Sequence, residues 1–496
     1  MTQLFTPLRV HGHDAIALYR DFYGGQWQDP RDRDAFEVTS PATGQVIARV
    51  AACTAREVEQ AIEFARRHVE PEGFLPTQRL EVMERARHLL REHQEEIAET
   101  IVLESGKPIH QARREVHATS ERLLLTREET GTLRGEYLPG EWVPDTEGKF
   151  ALVTRKPLGV VATLSPFNYP LFIGAAKIIP ALLAGNAVVA KPSSDAPLSL
   201  LLFARILQAA GVPDGMLNVL TGRGSEIGKC IMTSPHVAAI SFTGSTTVGE
   251  TIAANAGMKK LHLELGGKAA AVVLDDADLP LAAEEICKGT FKLSGQRCDA
   301  ISRVLVHPGI KDPFISEVMK AAQPYRLGDP LDENTALGPL INAEALAKVK
   351  RLVESAVQGG ARLLQGGTHE DLFYQPTILD HVQRDMDIAR QEIFGPVMPI
   401  ITFEDDADAL ALANDTEYGL DGCLFTTHLD RALDMATGMQ DGTISINAAP
   451  SHGVGHFPFG GTKRSGLGRE GLRYSVDELT QLHTIVVARH CTTIAE

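Results

Sequence analysis

The sequence predicts an α/β fold with two doubly wound parallel-sheet domains and a small β element. The chain has 496 residues, more than one hydrophobic core normally serves, so two or three subdomains are expected. Its apolar share of 44% and charged share of 23% are those of an ordinary globular protein, which argues against disorder. From about residue 150 onward, short apolar strands alternate with helical stretches, the pattern of βαβ units.

The first 130 residues are predicted to be mostly helical. Thr54 and Glu57 have the spacing of a capping box, and apolar residues follow them at helical intervals. A second helical pattern covers about 77–104 and is stopped by Gly106. A further helix continues to about residue 127.

Two short stretches indicate β structure outside the α/β pattern. Residues 131–148 are typical of a hairpin, with turn-forming pairs at Pro139-Gly140 and Glu147-Gly148. Residues 484–488 form an apolar strand without an obvious local partner. We hypothesise that this strand pairs with another subunit.

The α/β pattern itself is divided into two blocks, of which the second covers roughly 265–445. A helix near 343–357 belongs to the second block, and glycine pairs at 359–360 and 366–367 mark turns within it. Short strands are expected at 159–164, 187–190, 217–220, 239–242 and 269–274.

One apolar segment, 169–190, is about long enough to cross a bilayer. Lys177, Pro180 and the pair Gly185-Asn186 interrupt it. We therefore expect a buried helix that ends at Gly185-Asn186 and a buried strand at 187–190, with no membrane span. Residues 1–20 lack the basic and apolar regions of a signal peptide, so none is expected.

Charge and cysteine content exclude several classes of function. The formal charge of 48 − 64 = −16 repels phosphate backbones, so no nucleic-acid partner is expected, and an anionic substrate would require locally placed cations. The cysteines form no CxxC pair, which argues against a disulfide framework or a metal site and favours a reducing, cytoplasmic compartment. They are Cys53, Cys230, Cys287, Cys298, Cys423 and Cys491.

Cys298 in the stretch Gly-Gln-Arg-Cys is a candidate nucleophile. A thiolate is the strongest natural side-chain nucleophile, and the neighbouring cation Arg297 would help to keep it ionised. The alternative is a cysteine that only fills space, which is the more common case for a single cysteine. Cys287 lies in an apolar helical stretch and is predicted to be such a core residue.

Two further residues have the character of catalytic groups. Glu264 ends an apolar strand directly before two glycines, where burial would raise its pKa toward that of a base, unless it simply pairs with Lys268. Asn168 lies between Pro166 and Pro170 after a strand, and its amide could donate to a developing oxyanion. Asparagine in such a segment is also a common turn former.

Three turns that follow strands could bind a nucleotide, although each is weak evidence alone. Gly222 to Gly228 is glycine-rich but does not have the GxGxxG spacing. The segment from Phe242 to Gly249 ends a strand and opens a helix, whose N-terminus can face a pyrophosphate. Lys191 ends another strand, where it could hold a ribose or a phosphate.

Together these motifs resemble the aldehyde dehydrogenase superfamily over about 35–490. They occur in the family's order and with similar spacing: Asn168, Lys191, FTGS at 242–245, LELGGK at 263–268, GQRC at 295–298, EIFGP at 392–396, FPFGG at 457–461 and SG at 465–466. The resemblance implies an aldehyde dehydrogenase fold, which combines a Rossmann-like cofactor domain, an α/β catalytic domain and a small β oligomerisation element.

The resemblance also implies a domain plan and an oligomer, either a homodimer or a homotetramer. The dinucleotide-binding domain would comprise 1–130 and 151–264, and the catalytic domain 265–445. The oligomerisation element would comprise 131–150 and 475–496. A return segment at 446–474 would line the active site.

The family mechanism implies a role for each matching residue. Cys298 would attack the aldehyde, Asn168 and the Cys298 backbone N–H would hold the oxyanion, and Glu264 would activate the water that hydrolyses the thioester. The presence of Glu264 favours release of a free acid over transfer to coenzyme A. The residues implied to bind the dinucleotide are Phe167, Lys191, Ser194, Gly224, Gly228, Gly244, Ser245, Glu392 and Phe394.

Ser194 bears on the choice between NAD and NADP. Family members that prefer NAD often have a glutamate at this position, which repels the 2′-phosphate of NADP, a group with a charge of about −1.5 to −2. Ser194 removes that repulsion and Lys191 would attract the phosphate. We therefore predict that NADP is accepted, alongside NAD.

The substrate is predicted to be a small aldehyde. The chain looks most similar to the non-phosphorylating glyceraldehyde-3-phosphate dehydrogenase branch, in which Tyr169, Arg297 and His452 would contact an anionic aldehyde. Some branch members have arginine where this chain has His452, and Arg297 could instead pair with a carboxylate. Lactaldehyde and succinate semialdehyde therefore remain alternatives, as do a cysteine esterase and a non-catalytic NAD-binding protein.

Overall fold

A computed structural model of the chain describes residues 3–10, 16–30, 35–69, 74–451 and 453–488. Two large sheets, each packed against helices, form the bulk of the described structure.

The helices are numbered in chain order. They are α1 (Ala55–Arg67), α2 (Pro76–Glu92), α3 (Gln94–Ser105), α4 (Ile109–Leu124), α5 (Thr126–Glu129), α6 (Phe172–Leu183), α7 (Leu198–Ala210), α8 (Gly224–Thr233), α9 (Thr246–Asn255), α10 (Leu279–Phe291), α11 (Lys311–Ala321), α12 (Ala343–Gln358), α13 (Asp387–Arg390), α14 (Asp406–Asn414), α15 (Leu429–Gly438) and α16 (Leu472–Glu478).

The strands are numbered in the same way. Those of the first half are β1 (Leu18–Tyr19), β2 (Asp21–Tyr23), β3 (Gln26–Gln28), β4 (Ala35–Thr39), β5 (Val46–Ala51), β6 (Glu136–Pro139), β7 (Lys149–Pro157), β8 (Val160–Leu164), β9 (Ala187–Lys191), β10 (Leu217–Val219), β11 (Val237–Thr243) and β12 (Lys260–Glu264). Those of the second half are β13 (Ala269–Val273), β14 (Ile301–Val306), β15 (Arg362–Gln365), β16 (His369–Glu370), β17 (Phe373–Tyr374), β18 (Thr377–Asp380), β19 (Val397–Thr402), β20 (Asp421–Phe425), β21 (Thr443–Ile446), β22 (Gly466–Leu467) and β23 (Thr480–Ala488).

The first large sheet has the order β22-β12-β11-β8-β9-β10-β2-β3. Neighbours from β12 to β10 are parallel, as predicted for βαβ units. The chain runs outward from β8 through β9 to β10 and then returns to β11 on the other side of β8. The order of strands therefore reverses between β8 and β11, which is where ligands bind in open α/β sheets.

The second large sheet has the order β15-β18-β19-β14-β13-β20-β21, with parallel neighbours from β18 to β21. Separate hydrophobic clusters cover its two faces, one with residues of α10 and α11 and the other with residues of α12, α14 and α15. The predicted strands and the helix near 343–357 are confirmed.

The two sheets face each other through the ends of their strands. Residues 265–268 connect the end of β12 to the start of β13. The carboxyl ends of the strands in the first sheet therefore face the amino ends of the strands in the second. Two sets of segments therefore converge on one junction. One set follows β8, β9 and β11, and the other precedes β13, β14, β19 and β20.

The predicted helices are confirmed with two differences. Thr54 and Glu57 form the capping box of α1. The pattern at 77–104 proved to be two helices, α2 and α3, because His93 leaves helical geometry at φ −106° and ψ 18°. The His93 ring packs against Phe5, a distant contact that helical periodicity does not reveal. The helix expected to reach residue 127 ends at Leu124 and is followed by the single turn α5.

The expected membrane-length segment is the buried helix α6 followed by the buried strand β9. No described helix is both long and apolar enough to cross a membrane.

The small β element differs in part from what the sequence predicted. The hairpin is confirmed as β6 and β7, although β7 runs past the boundary expected at residue 150. The C-terminal strand has no partner nearby in the sequence, as expected, but it does have a partner within the same chain. β23 pairs antiparallel with β7 over its whole length in the same chain, a partner more than 300 residues away in sequence. Pairing with another subunit would have to use the outer edge of β23 and stays a prediction.

A buried carboxylate fixes the start of α6. Oε1 of Glu115, on α4, accepts hydrogen bonds from the backbone N–H groups of Leu171 and Phe172 at 3.0 Å each. Its Oε2 is paired with the ammonium of Lys107, and both side chains are completely buried. A negative charge is favourable at a helix N-terminus, so Glu115 holds the turn that leads into α6.

Removing one member of this buried pair should be more harmful than removing both charges. We expect Lys107→Met to lower the free energy of unfolding by about 3–5 kcal/mol, because it leaves the Glu115 carboxylate buried without its cation. The double variant Lys107→Met with Glu115→Gln should recover much of the loss, since the glutamine oxygen can still accept from the two backbone amides. Urea unfolding of the three proteins tests this, and a double variant less stable than the single one would contradict it.

Candidate active site

The candidate catalytic residues come together at the junction of the two sheets. Asn168 follows β8, Glu264 ends β12, and Cys298 lies just before β14. All three were predicted from the sequence, and hydrogen bonds link their immediate surroundings.

The backbone before Cys298 is unusually twisted. Leu293 and Ser294 have left-handed φ values of 56° and 52°, and Gly295 follows at 70°. Left-handed backbone is costly for residues other than glycine, so tertiary contacts must hold it. A Cβ on Gly295 would lie 2.1 Å from the carbonyl oxygen of Gly395, which leaves room only for glycine. This turn directs Cys298 toward the first sheet.

The Cys298 thiol is hydrogen-bonded to Glu264. Its Sγ donates to Glu264 Oε1 at 3.1 Å, and the Thr243 hydroxyl donates to Oε2 of the same carboxylate at 2.8 Å. The alternative in which Glu264 pairs with Lys268 is wrong. The Lys268 ammonium instead donates to the carbonyls of Ser302 and Ile388, at 3.1 and 2.7 Å.

Burial controls the protonation of both groups. It raises the pKa of the Glu264 carboxyl to about 7, with the Glu470 charge raising it further and Lys177 opposing. Burial likewise raises the pKa of the Cys298 thiol well above its usual range, reinforced by Glu264. The structure thus favours a neutral thiol beside a carboxylate able to accept its proton.

The charges of Arg297 and Cys298 interact, as expected, but this interaction does not offset the burial that raises the pKa of the Cys298 thiol. The Arg297 Nε donates to Asp299 Oδ1 at 2.9 Å in a buried ion pair. Burial alone would lower the pKa of Arg297, but the charges of Asp299 and Tyr169 raise it. The guanidinium charge is therefore largely satisfied by Asp299. This is the pairing that the sequence left open as an alternative to substrate binding.

Asn168 is fixed by the loop that carries the cysteine. Its Nδ2 donates to the Gln296 carbonyl at 2.9 Å, and its Oδ1 accepts from the Tyr169 backbone N–H at 3.1 Å. The Gln296 side chain in turn donates a hydrogen bond to the Pro339 carbonyl and accepts one from the Ile341 backbone N–H. One Nδ2 hydrogen of Asn168 is used in this way, and the second is available to a ligand.

An ion pair beside Glu264 was missed by the sequence analysis. Lys177 on α6 donates to Glu470 Oε2 at 3.0 Å. Burial would raise the pKa of Glu470, but Lys177 and His262 hold it at about 2. Lys177 had been noted only as an interruption of an apolar segment. The return segment containing Glu470 also places β22 against β12, with Gly466 paired to Glu264.

Tyr169 and Arg297 are both near the candidate nucleophile. The Lys107 ammonium lies 4.0 Å from the centre of the Tyr169 ring, and burial raises the pKa of the Tyr169 phenol. His452, the third predicted substrate contact, lies outside the described residues. Substrate binding by these residues stays a prediction.

One group of predicted cofactor residues lies at the ends of β9 and β10. The Lys191 ammonium donates to the Pro192 carbonyl at 3.0 Å, and burial lowers its pKa to about 8. The Ser194 hydroxyl donates to the Gly222 carbonyl at 3.0 Å, which ties together the turns after these two strands. Gly224 and Gly228 belong to α8, which begins at this point.

A second group surrounds the start of α9. Ser245 is its N-cap, with the side chain accepting from the Val248 backbone N–H at 3.4 Å, and the Gly244 N–H donates to the Glu264 carbonyl at 3.1 Å. The helix N-terminus is thereby placed at the junction, where its partial positive charge can face an anion.

A third group comes from the second sheet. Oε1 of Glu392 accepts from the Gly267 backbone N–H at 3.2 Å, and its Oε2 is 3.6 Å from the Lys348 ammonium. Phe394 has a left-handed φ of 55°, and its ring meets that of Phe167 edge-on at 5.9 Å between centroids. Phe167 and Phe394 thus form an aromatic contact across the junction.

The described residues contain no cluster of side chains that could bind a metal ion. Among residues 3–10, 16–30, 35–69, 74–451 and 453–488, no group of three or more His, Cys, Asp and Glu side chains is placed to hold a metal ion.

Comparisons with known proteins agree with this geometry. A model of the aldehyde dehydrogenase family matches residues 27–485. The chain is 37% identical over 472 residues to the 3-sulfolactaldehyde dehydrogenase of Priestia megaterium, covering 95% of this chain and 98% of that protein. It is 40% identical over 471 residues to the mitochondrial succinate-semialdehyde dehydrogenase of Arabidopsis thaliana, covering 92% and 87%. The lactaldehyde dehydrogenase of Methanocaldococcus jannaschii is 37% identical over 473 residues, covering 94% and 100%.

Two solved structures have the same fold. The NADP-dependent glyceraldehyde-3-phosphate dehydrogenase of Bacillus halodurans, complexed with NADP, superposes with a TM-score of 0.93 at 38% identity, covering 95% of this chain and 99% of that one. An NAD-dependent aldehyde dehydrogenase of Sinorhizobium meliloti gives a TM-score of 0.91 at 34% identity, covering 96% of each. Since a family model and full-length relatives both match along nearly the whole sequence, the chain belongs to the aldehyde dehydrogenase family.

Proposed function

We propose that this protein oxidises a small aldehyde to a carboxylic acid, with NAD(P) as the oxidant and a thioester on Cys298 as the intermediate. The observation that carries the proposal is the 3.1 Å hydrogen bond from the Cys298 thiol to Glu264 at the junction of the two sheets. A partly buried thiol next to a carboxyl with a pKa near 7 is an arrangement suited to covalent catalysis.

The residues of the first sheet fit a dinucleotide. The junction lies at the point where the strand order reverses, and the N-termini of α8 and α9 offer backbone N–H groups to phosphates. Lys191 and Ser194 would hold the adenosine end, and Glu392, Phe394 and Phe167 the nicotinamide end. The bound cofactor supplies the hydride acceptor.

The first half-reaction uses Cys298 as nucleophile. Glu264 accepts the thiol proton through the existing hydrogen bond while the sulfur bonds to the aldehyde carbon. The free Nδ2 hydrogen of Asn168 and the Cys298 backbone N–H then stabilise the oxygen that becomes negative. Loss of hydride from the carbon restores the carbonyl and leaves the thioester.

The second half-reaction returns the enzyme to its starting state. Glu264 first releases the thiol proton to solvent. It then takes a proton from water as the water oxygen attacks the thioester carbon, and it returns that proton to the released thiolate. The Thr243 hydroxyl holds the Glu264 carboxylate in place throughout. The Lys177–Glu470 pair fixes the charge environment of Glu264. Together these steps yield a free acid.

Both cofactors are expected to be used. Ser194 has no charge to repel a 2′-phosphate, and Lys191 lies close by at the end of β9, the strand that Ser194 follows. Of the similar structures, the Bacillus halodurans enzyme is complexed with NADP and the Sinorhizobium meliloti enzyme is named NAD-dependent.

The substrate would be one of the small aldehydes named for the relatives. Glyceraldehyde 3-phosphate is the anionic candidate, and lactaldehyde and succinate semialdehyde are the alternatives. We also propose that the chain acts in the cytoplasm as a homodimer or homotetramer. Its dinucleotide-binding domain would comprise 1–130 and 151–264, its catalytic domain 265–445, and its oligomerisation element 131–150 and 475–496. Residues 446–474 would return along the active site.

Cys298→Ser should abolish aldehyde oxidation. We expect kcat to fall by about a thousandfold or more, because a serine hydroxyl is a much weaker nucleophile without a triad. The formation of reduced cofactor, followed by its absorbance, measures the loss. Cys230→Ser is the matched control, since Cys230 lies on α8 away from the candidate nucleophile. Ester turnover without any aldehyde-dependent reduction of NAD(P) by the native protein would instead favour an esterase.

The pH profile should report the Glu264 carboxyl. Since burial raises its pKa to about 7 and the base form is required, thioester hydrolysis should slow as the pH falls through that value. Thr243→Val removes a hydrogen bond that stabilises the carboxylate, so the limb should move to higher pH. Glu264→Gln should slow both the formation of reduced cofactor and the hydrolysis of the thioester, because Glu264 accepts a proton in each half-reaction. Unchanged profiles in both variants would refute the role of Glu264.

Ser194 should govern the use of NADP. Ser194→Glu places a carboxylate where we expect the 2′-phosphate, so KM for NADP should rise by about tenfold or more while KM for NAD changes little. Ser194→Ala removes the hydroxyl without adding charge and serves as the control, with NADP use retained. Equal effects of Ser194→Glu on both cofactors would contradict the assignment.

A further inference from the structure

Glu264 must lose a proton in every turnover of the proposed mechanism, although it is deeply buried. Its exposed fraction is 3%. It accepts the thiol proton from Cys298 and has to release that proton before it can activate water. Substrate and cofactor would cover the side of Glu264 that faces Cys298 at that stage. The proton therefore needs a way out on another side.

A second titratable group lies on the same face of the same strand. His262 and Glu264 are two residues apart on β12, so their side chains project from one face, with the Cα atoms about 7 Å apart. Ser241, the register partner of His262 on β11, has its hydroxyl 3.0 Å from Nδ1 of the ring. Thr243, the register partner of Glu264, donates to its carboxylate at 2.8 Å. These four side chains form a polar row that runs from the sheet junction toward the other end of β12.

A small cavity lies against His262, between this face of the sheet and the helices α6 and α16. Its volume is about 10 Å³, close to the space that one water molecule needs. Lys177 and Glu470 line this cavity, and the charges of the same two residues act on Glu264. Nε2 of His262 is buried and has no hydrogen-bond partner among the described residues. A water molecule in the cavity would supply that partner and connect the ring to the ion pair beside Glu264.

A larger cavity lies on the surface side of His262. Its volume is about 220 Å³, and it is lined by His262, by Glu478, which also lines the small cavity, and by the exposed Lys260. Among the described strands, β22 pairs with β12 only at Leu263 and Glu264, so no strand covers the sheet edge beside His262. His262 thus stands between a small buried cavity and one that opens at the surface.

We propose that His262 carries the proton of Glu264 to the surface, by way of water in the small cavity, and so restores the carboxylate before the thioester is hydrolysed. The proton passes the Lys177–Glu470 pair, binds the ring at Nε2 and leaves the ring for water in the larger cavity. Only O–H and N–H bonds form and break in this transfer, and the proton ends in the solvent. The inference rests on the proposed function and adds a residue that acts through Glu264.

The charges around His262 keep the ring neutral. Burial lowers its pKa to about 4, Lys177 and Arg469 lower it further, and Glu470 opposes them. A neutral imidazole has one ring nitrogen that can accept a proton. Because the pKa of the ring is below that of Glu264, the ring holds the proton only briefly and passes it on.

His262→Gln tests the transfer, because glutamine can still form a hydrogen bond with Ser241 but cannot carry a proton. At about pH 8, where Glu264 starts as a carboxylate, the first equivalent of reduced cofactor should form at the native rate. The steady phase that follows should be slower by about tenfold, since Glu264 stays protonated after the first half-reaction. Stopped-flow absorbance of the reduced cofactor separates the two phases.

His262→Ala leaves space for a base from the buffer. Added imidazole should raise the steady phase of this variant by about fivefold or more and leave the burst unchanged, because it replaces the missing ring as proton carrier. Leu479→Ala is the matched control, since Leu479 lines both cavities but carries no base. Both phases of Leu479→Ala should stay within about twofold of the native rates, with or without imidazole.

The outcomes separate the inference from the function on which it rests. Native protein that reduces NAD(P) with none of the three candidate aldehydes would overturn the proposed function. A native steady phase in His262→Gln, or a burst slowed as much as the steady phase, would overturn the inference alone. So would an equal loss in Leu479→Ala, or no response of His262→Ala to imidazole. Cofactor binding, measured by fluorescence, shows that a variant is folded, and if His262→Ala fails this check the two phases of His262→Gln decide.

Discussion

The active site depends on one constraint, the hydrogen bond between the buried Glu264 carboxyl and the partly buried Cys298 thiol at the junction of the two sheets. Neither group is easily ionised alone, because burial raises the pKa of both. The hydrogen bond between them allows a proton to move without exposing a bare charge to the interior. Thr243, donating to the other carboxyl oxygen, fixes the direction in which Glu264 presents its acceptor.

Buried ion pairs hold the segments around this junction. Lys107–Glu115 fixes the start of α6, and Lys177–Glu470 connects α6 to the return segment beside Glu264. Such pairs contribute little net stability, because desolvation offsets the attraction between the charges. Their effect is geometric, since each pair joins segments far apart in the sequence. Lys107–Glu115 holds the segment just after Asn168, and Lys177–Glu470 acts electrostatically on Glu264.

Local signals in the sequence were sufficient for most of the architecture but not for the environment of the site. Capping residues, strand periodicity and the turns after β8, β9 and β11 depend on neighbours in sequence, and they were predicted correctly. The partner of β23, the break at His93 and the role of Lys177 depend on contacts between distant segments. Arg297 shows the same limit. Its position beside Cys298 was evident, whereas its pairing with Asp299 followed only from the fold.

The distribution of charge distinguishes the two ends of the site. The chain has a formal charge of −16, so anionic ligands must be attracted by local groups. At the cofactor end, Lys191 and two helix N-termini supply such groups, and no carboxylate pairs with Lys191 in the described structure. Near the candidate nucleophile, the Arg297 guanidinium is paired with Asp299, and the Lys292 ammonium acts electrostatically on both. The phosphates of a dinucleotide would thus meet backbone N–H groups and a lysine without a carboxylate partner, whereas an anionic aldehyde would meet an arginine whose charge Asp299 already offsets.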